Sequence, residues 1–267
     1  MDWEYVIIEN GSAVKLTRYT GNASSVVTPP ELEGLPVRVL GNRAFTGNDK
    51  ITSVVLSDSI ETVEDGSGIR GTGAFRNCSQ LCIVVLSSRM TRVADYMFYG
   101  VASQRTIALQ IDFRNVLEIG NFAFACCNHI VHLCLPKTVH KIGTGAFYQA
   151  RRLLDLDMPG VYDIAADAFT ETMFEERYEQ LWKAGEFFGV VYAGKVAYMY
   201  LPGKGDQESL TIRDGTVGIS EFLFHNHFAH SGDWRESLKT VVIPASLRYV
   251  PEGLLDDLPQ VALRRTT

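Results

Sequence analysis

The sequence predicts an α/β-type solenoid, a right-handed superhelix of short parallel strands, because one pattern recurs along the chain. A phenylalanine returns after 23, 23 and 22 residues in the steps Phe75–Phe98, Phe124–Phe147 and Phe147–Phe169. An aliphatic residue stands five positions before most of these phenylalanines, and an alternating apolar run follows them. Stacked coils bury the faces that a single copy cannot bury alone, so such a unit has to be repeated.

The recurring phenylalanine predicts one buried column along the solenoid. Alanine precedes most of these phenylalanines and leaves room for close packing between coils. The aliphatic residue supplies a second buried ridge, which the insert EDGSGIR displaces in one coil. The phenylalanine positions are Phe45, Phe75, Phe98, Phe124, Phe147, Phe169, Phe224 and, in degenerate form, Leu255. The aliphatic positions are Leu40, Val63, Val93, Ile119, Ile142, Ile164, Ile219 and Val250.

After the phenylalanine comes the pattern L-x-x-L-x-L, which predicts one short strand per coil. Successive strand residues point to opposite faces, so the first, fourth and sixth positions face the core and the third and fifth face solvent. The inward sets are Ile51-Val54-Leu56, Leu81-Val84-Leu86, Ile130-Leu133-Leu135, Leu153-Leu156-Met158 and Leu238-Val241-Ile243.

The outward positions form the surface that we predict to bind a partner. A mixed apolar stripe that ends near carboxylates is typical of protein recognition, because monomers that bind nothing expose few apolar patches. The alternative is that small β-branched residues here only favour strand formation. The third positions are Ser53, Ile83, His132, Asp155 and Thr240, and the fifth positions are Val55, Val85, Cys134, Asp157 and Val242.

The N-terminal segment departs from the repeat and predicts a cap. Residues 1–28 contain two alternating runs on either side of Asn10-Gly11. Both residues tolerate a positive φ, so the pair favours a tight β-hairpin turn. We expect this hairpin to cover the first coil and to protect an open sheet edge.

Residues 172–201 predict an inserted helix followed by a second hairpin. Thr172 and Glu175 have the spacing of a capping box, and Gly185 supplies a stop. The hairpin is predicted to turn near Ala193-Gly194. Together with the cap and the coils, this insertion completes a single solenoid over 1–267. The predicted apolar stripe of the helix is Phe174, Tyr178, Leu181 and Trp182, and the hairpin strands are Val190–Tyr192 and Lys195–Tyr198.

These motifs resemble the BspA-like (treponeme-type) leucine-rich repeat family over nearly the whole chain. The spacing L-x-x-V-x-L-P followed by V-x-x-I-G-x-x-A-F carries the resemblance at Leu133–Phe147, and Cys127 ends the coil before it. The segment GVVYAGKVAYMYLPGK with LTIRDGTVGISEFLF is similar to an element of Bacteroides-type surface proteins. The asparagine that commonly follows a leucine-rich strand is missing, and prolines take its place at Pro136, Pro159 and Pro244.

The resemblance implies a non-enzymatic protein-binding module. It implies a bacterial cell-surface or secreted protein that adheres to a host or neighbouring-cell protein, with no cofactor and as a monomer. The alternative is an intracellular protein-interaction scaffold, which the free cysteines and the start MDWEYVIIENG favour, because that start lacks the apolar region of a secretory signal.

Composition excludes other classes of function. The 267 residues are 46% hydrophobic and 21% charged, which is ordinary for a globular chain. A net charge of −6 gives no basis for nucleic-acid binding, which needs clustered Lys and Arg. The longest apolar stretches fall well short of the ~20 residues that span a bilayer, so we expect no membrane insertion.

The cysteines are interpreted as thiols, because the repeat phase keeps them apart. Cys78 and Cys127 occupy the same position two coils apart, at roughly 10 Å, which is beyond disulfide reach. We expect both to be buried small residues and Cys134 to be an accessible thiol. The five cysteines are Cys78, Cys82, Cys126, Cys127 and Cys134.

The most enzyme-like feature is the histidine cluster His225–His230. Imidazoles are zinc ligands, and Asp155 with Asp157 offers paired carboxylates, so a metal-dependent hydrolase is a second alternative. The blander interpretation is a polar loop and a solvated acidic patch. The same loop carries Trp234 and Arg235, which compete with the strand surface as candidate binding residues, because both types are common hot spots.

Overall fold

The computed structural model describes residues 2–68, 71–101, 109–203, 207–226 and 234–266. Most of its strands have two or three residues and pair in parallel with a strand of the next coil. The strands are β1 (Trp3–Ile8), β2 (Ala13–Tyr19), β3 (Ser25–Val27), β4 (Glu31–Leu32), β5 (Leu35–Leu40), β6 (Ser53–Val55), β7 (Thr62–Val63), β8 (Ile83–Val85), β9 (Arg92–Val93), β10 (Gln110–Asp112), β11 (Glu118–Ile119), β12 (His132–Cys134), β13 (Lys141–Ile142), β14 (Asp155–Asp157), β15 (Asp163–Ile164), β16 (Gly189–Ala193), β17 (Val196–Leu201), β18 (Ser209–Thr211), β19 (Gly218–Ile219), β20 (Thr240–Ile243) and β21 (Ala262–Arg265). The helices are α1 (Met173–Lys183), α2 (Phe222–His225) and α3 (Trp234–Ser237).

Two ladders of strands run along the solenoid. The first ladder contains the five predicted L-x-x-L-x-L strands, β6, β8, β12, β14 and β20, together with four that were not predicted. The orders are β3-β6-β8-β10, β12-β14 and β18-β20-β21, all parallel. The second ladder contains the aliphatic ridge, with β9-β11-β13-β15 pairing in register. Most coils thus contribute one strand to each ladder, as expected for a solenoid of stacked repeats.

The phenylalanines from Phe45 to Phe169 form the predicted column and are buried, whereas Phe224, which was predicted to continue it, packs against Tyr200 and Trp234 instead. From Phe45 to Phe169, successive rings stack with centroids 5.0 to 5.5 Å apart and planes within 13°. Tyr198 then meets Phe169 edge-on at 5.4 Å. The degenerate position differs, because Leu254 is buried while Leu255 is only partly buried. The members of this aromatic column are Phe45, Phe75, Phe98, Phe124, Phe147 and Phe169.

Turns, and not helices, carry the six phenylalanines from Phe45 to Phe169, whereas Phe224 lies in α2. From Phe98 to Phe169 the residues two positions before and after the phenylalanine adopt a positive φ, for example Phe122 (52°) and Cys126 (61°) around Phe124. The same pattern surrounds Phe169, at Asp167 and Glu171. A left-handed residue cannot continue a right-handed helix, so the coils from Phe98 to Phe169 turn twice within five residues. The helical content of the described chain is therefore small.

The N-terminal hairpin cap is present. β1 pairs antiparallel with β2, and β2 pairs in parallel with β5 of the first coil. Trp3 and Tyr19 place their rings 5.2 and 5.6 Å from Phe45, so the cap closes the end of the aromatic column. The turn is longer than a two-residue turn, and Asn10 and Gly11 have φ values of 54° and 96°.

Helix α1 and the hairpin β16–β17 follow the sixth ring of the column. The Thr172 side chain accepts the Glu175 N–H, and Gly185 lies just past the helix with φ 77°, as the capping pattern predicts. β16 and β17 pair antiparallel, and Gly194 in their turn has φ 61°. Strand β17 is buried along its whole length. It belongs to both hydrophobic clusters of the chain, with Tyr198 in the N-terminal cluster and Tyr200 in the C-terminal one.

Candidate functional site

The ten predicted outward residues all lie on the solvent side of the first ladder. We call the side chains at the third and fifth positions of these strands the sheet face. Asp155 and Asp157 are exposed there, as are Ile83, His132 and Cys134, while the other five are partly exposed. The inward fourth positions between them are buried or nearly so. The alternation of the sequence therefore determines which side chains reach solvent.

Strand pairing brings the ten residues together in three groups. Ser53 and Val55 lie beside Ile83 and Val85, because β6 pairs with β8. His132 and Cys134 lie beside Asp155 and Asp157, because β12 pairs with β14. Thr240 and Val242 lie in β20, between β18 and β21. Within the described parts of the chain, no strand pairing joins one group to the next.

The structure adds residues to the sheet face that the sequence analysis missed. Val27 in β3 is 66% exposed and pairs with Val55, and Asp112 in β10 pairs with Val85. The sequence contains a pattern that could have predicted β3, because Ser25-Val26-Val27 repeats the tripeptide Ser53-Val54-Val55. The additional outward residues are Ser25, Val27, Gln110, Asp112, Ser209, Thr211, Ala262 and Arg264.

The N-terminal part of the sheet face is apolar. Val27 and Ile83 are 66% and 44% exposed. Val27 lies in register with Val55 and Val85, and Ile83 lies on the same strand as Val85. Exposed apolar side chains scattered singly are normal, but here four lie on adjacent strands. An apolar surface of this kind can form the water-free centre of a protein interface.

The middle of the sheet face is acidic. Asp112, Asp155 and Asp157 are exposed on β10 and β14. His132 Nδ1 lies 2.8 Å from Asp155 Oδ2 across the strand pair, and Arg114 Nε lies 3.3 Å from Asp112 Oδ2. Exposed pairs of this kind contribute little to stability. Their effect is to set the sign of the surface that a partner meets.

The cysteines occupy the predicted environments. Cys78 and Cys127 are buried, and their thiols donate to the carbonyl oxygens of Phe45 and Phe98 at 3.1 and 3.0 Å. Burial raises the pKa of both thiols to about 12. All five cysteines are free thiols, and Cys134 is the exposed one. The buried pair is structural, because each thiol bonds to the preceding coil.

The histidine cluster does not form a metal site within the described residues. His225 Nδ1 lies 2.8 Å from the Glu221 carbonyl oxygen, and its Nε2 lies 3.7 Å from Asp257. His227 and His230 lie outside the described residues. In the described ranges, no group of three or more His, Cys, Asp or Glu side chains could hold a metal ion.

Trp234 does not have the exposure that the hot-spot interpretation requires. It is 2% exposed and packs 4.9 Å from Tyr200 and 5.9 Å from Phe224, ring centroid to ring centroid. Sequence reasoning assigned it to a polar loop, but an aromatic side chain gains more by filling the C-terminal core. Arg235 lies beside it, 5.6 Å over the ring.

The stacked coils, parallel ladders and buried phenylalanine column define a leucine-rich repeat solenoid. The chain matches the BspA type leucine rich repeat region in six copies over residues 38–175, which is just over half of the 267 residues. The chain belongs to this family, so the resemblance seen in the sequence is confirmed.

Solved structures show the same fold. A leucine-rich repeat protein of Treponema pallidum is 26% identical with a TM-score of 0.50, and the match covers 64% of this chain and 75% of that one. A leucine rich cell surface protein of Faecalibacterium prausnitzii matches at 14% identity and TM-score 0.53, over 100% and 93%. A Bacteroides ovatus leucine-rich repeat protein matches at 15% and 0.52, over 99% and 77%. No curated protein matches the chain.

The helices of the described chain are short. Within the described ranges, none is long and apolar enough to cross a membrane.

Proposed function

We propose that this BspA-type leucine-rich repeat chain is a non-enzymatic protein-binding module and that its sheet face is the binding surface. The observation that carries the proposal is the row of exposed side chains on a rigid ladder, apolar at Val27, Val55 and Ile83 and acidic at Asp155 and Asp157. Strands about 4.8 Å apart present such side chains at fixed spacing. A preordered surface loses little entropy on binding.

We propose a cell-surface or secreted location in a bacterium, with adhesion to a host or neighbouring-cell protein. The support is the family and the related Faecalibacterium protein, which is described as a cell surface protein. Labelling intact cells of the source organism with a membrane-impermeant reagent tests the location. Labelling only after lysis would contradict it.

The intracellular scaffold is the second candidate, because one observation favours it. Cys134 is an exposed free thiol, and free thiols are kept reduced in the cytosol. The same labelling experiment separates the two locations, and both place the interaction on the sheet face.

The binding experiment compares two variants with the same change in charge. The first, Val85→Lys with Asp157→Lys, alters the apolar and acidic parts of the sheet face. The control, Thr62→Lys with Asp49→Lys, alters exposed residues elsewhere by the same three units of charge. A partner captured by the intact protein is purified, and its affinity for each variant is measured.

We expect the sheet-face variant to lose about 2 kcal/mol or more of binding free energy, since truncated hot-spot contacts cost that much. The control should bind as the natural protein does. Normal binding by a folded sheet-face variant would show that the partner uses another surface.

A further inference from the structure

The first ladder is interrupted between β10 and β12, while the two coils stay joined behind this gap. β10 pairs with β8 and β12 pairs with β14, but among the described residues no pairing joins β10 to β12. The same two coils remain joined in the second ladder, where Glu118 pairs with Lys141. Their rings Phe124 and Phe147 also stay stacked, at 5.4 Å. The coils therefore separate only at the sheet face.

Core positions become accessible at this break. Val84 and Leu86, the fourth and sixth strand positions of the preceding coil, are 0% exposed. The equivalent Ile111 and Phe113 are only partly buried. In the preceding coil, the Leu86 N–H donates to the Asp112 carbonyl oxygen at 3.1 Å. The equivalent Phe113 N–H makes no such hydrogen bond to the next coil among the described residues.

An apolar cleft occupies the gap. It has a volume of about 260 Å³ and reaches inward to Phe124 and Phe147 of the aromatic column. Ile111 lines one side and Leu133 the other, and the outward residues Gln110, His132 and Cys134 surround the opening. The cleft thus opens on the sheet face, in the middle of the proposed binding surface.

The size of the cleft favours a side chain over a free ligand. Pockets that take drug-sized molecules have about 300–1,000 Å³, and this cleft is smaller. One large apolar side chain fits such a volume, and buried aromatic anchors in pockets are the typical hot spots of protein interfaces.

The charge around the opening selects the flanking residues of the partner. Asp112 lies on the β10 side, and Asp155 and Asp157 lie on β14, next to β12. Arg114 and His132 pair with two of these carboxylates. The net charge of these five groups is negative at neutral pH, so a cationic segment is attracted.

We propose that the cleft holds one large aromatic or aliphatic side chain of a protein partner, presented by an extended segment with Lys or Arg beside that anchor. Among the described residues, the facing backbone edges of β10 and β12 pair with no other strand, and such edges suit an extended segment, which hydrogen-bonds to them. The proposal rests on the proposed function, because it identifies one contact within the sheet face.

Cys134 allows a test without knowledge of the partner. In a Cys82→Ser, Cys126→Ser background, Cys134 is the exposed thiol, and the buried Cys78 and Cys127 are retained. Three dipeptides, Lys-Phe, Lys-Ala and Glu-Phe, are linked through cystamine so that each carries a disulfide. The Cys134 thiolate attacks this disulfide and releases a thiol, and intact mass measures the captured fraction in a mercaptoethanol buffer.

We expect about tenfold more capture of Lys-Phe than of Lys-Ala, which corresponds to about 1.4 kcal/mol, because the cleft buries part of the phenyl ring. Glu-Phe should be captured less than Lys-Phe, with a difference that falls as salt is added. Equal capture of Lys-Phe and Lys-Ala would overturn the proposal. Equal capture of Lys-Phe and Glu-Phe would overturn the cationic flank.

Variants that fill the cleft provide the matched comparison. Ile111→Trp should abolish the preference for Lys-Phe, whereas Ile83→Trp, on the same face outside the cleft, should leave it unchanged. Leu109→Trp serves the same purpose if the first variant does not fold, because Leu109 also lines the cleft. A preference that persists in a folded, filled variant contradicts the assignment.

The result of the cysteine-capture test can be distinguished from the result of the binding test of the proposed function. Capture by Cys134 needs no partner, whereas the charge variants are measured against one. If the probes do not discriminate while Val85→Lys with Asp157→Lys loses the partner, the cleft assignment is wrong and the sheet face stands. If sedimentation shows self-association that Ile111→Trp abolishes, a second copy is the occupant and the proposed partner segment is wrong.

Discussion

Replacing Glu175 by Gln should change how stability depends on pH. Glu175 lies in the first turn of α1, is 4% exposed, and accepts the Glu171 N–H at 3.1 Å through Oε2. Its other oxygen, Oε1, has no hydrogen-bond partner among the described residues. Burial, with smaller contributions from the charges of Asp167 and Glu179, raises the pKa of the carboxyl to about 7.

The sign and size of the effect follow from this shift. The unfolded carboxyl ionises near its ordinary value of 4.5, whereas the folded one keeps its proton up to about pH 7. Folding therefore binds a proton between these values, and stability is fully present below pH 4.5 and is lost as pH rises through 7. A shift from 4.5 to about 7 corresponds to about 3 kcal/mol, at 1.36 kcal/mol per pKa unit.

Urea denaturation between pH 4.5 and 8.5 measures the effect. Gln mimics the protonated side chain. As pH rises from 4.5 to 8.5, the free energy of unfolding of Glu175→Gln should therefore increase by about 3 kcal/mol relative to that of the natural protein. Other groups titrate equally in both proteins, so they cancel in the difference. Glu176→Gln, at the exposed next position of the helix, should run parallel to the natural protein. Parallel curves for Glu175→Gln as well would refute the buried, proton-binding carboxyl.

Two further predictions concern the core. Phe124→Ala and Phe147→Ala should each cost about 3–5 kcal/mol in the free energy of unfolding, because each leaves a cavity in the aromatic column; unchanged thermal unfolding in both would contradict the stacking. Thiol titration without reductant should return five free groups in unfolded protein, while in folded protein Cys134 reacts first and Cys78 and Cys127 react last, because burial raises the pKa of these two thiols to about 12. Three or fewer free thiols would show a disulfide.

The sequence allowed the coils to be predicted because their determinants are local. The spacing of Phe75, Phe98 and Phe124 and the alternation of the strands reappear directly as the aromatic column and the first ladder. The capping pattern at Thr172 and Glu175 likewise predicted where α1 begins. Each of these features depends on residues within about one coil of one another.

Features that depend on distant packing were not predictable. The polar surroundings of Trp234 suggested a loop, but its partner Tyr200 lies 34 positions earlier in a different strand. The capping box gave no sign that Glu175 would be buried, because burial depends on where the helix docks. The strand of Ile111 departs from the L-x-x-L-x-L pattern, because Ala108 stands where the other coils have Leu or Ile. This departure did not show that a cleft would open, because the opening depends on how the next coil packs.

Strand β17 links the two hydrophobic clusters, and this has a consequence for cooperativity. In a linear array each unit is coupled only to its neighbours, so unfolding spreads through whichever junction is weakest. Tyr198 and Tyr200 of this one buried strand belong to different clusters. Loss of either cluster exposes part of that strand to water. The Ser220 hydroxyl also donates to the Ile164 carbonyl oxygen at 2.8 Å across the same junction, so we expect the two clusters to melt together.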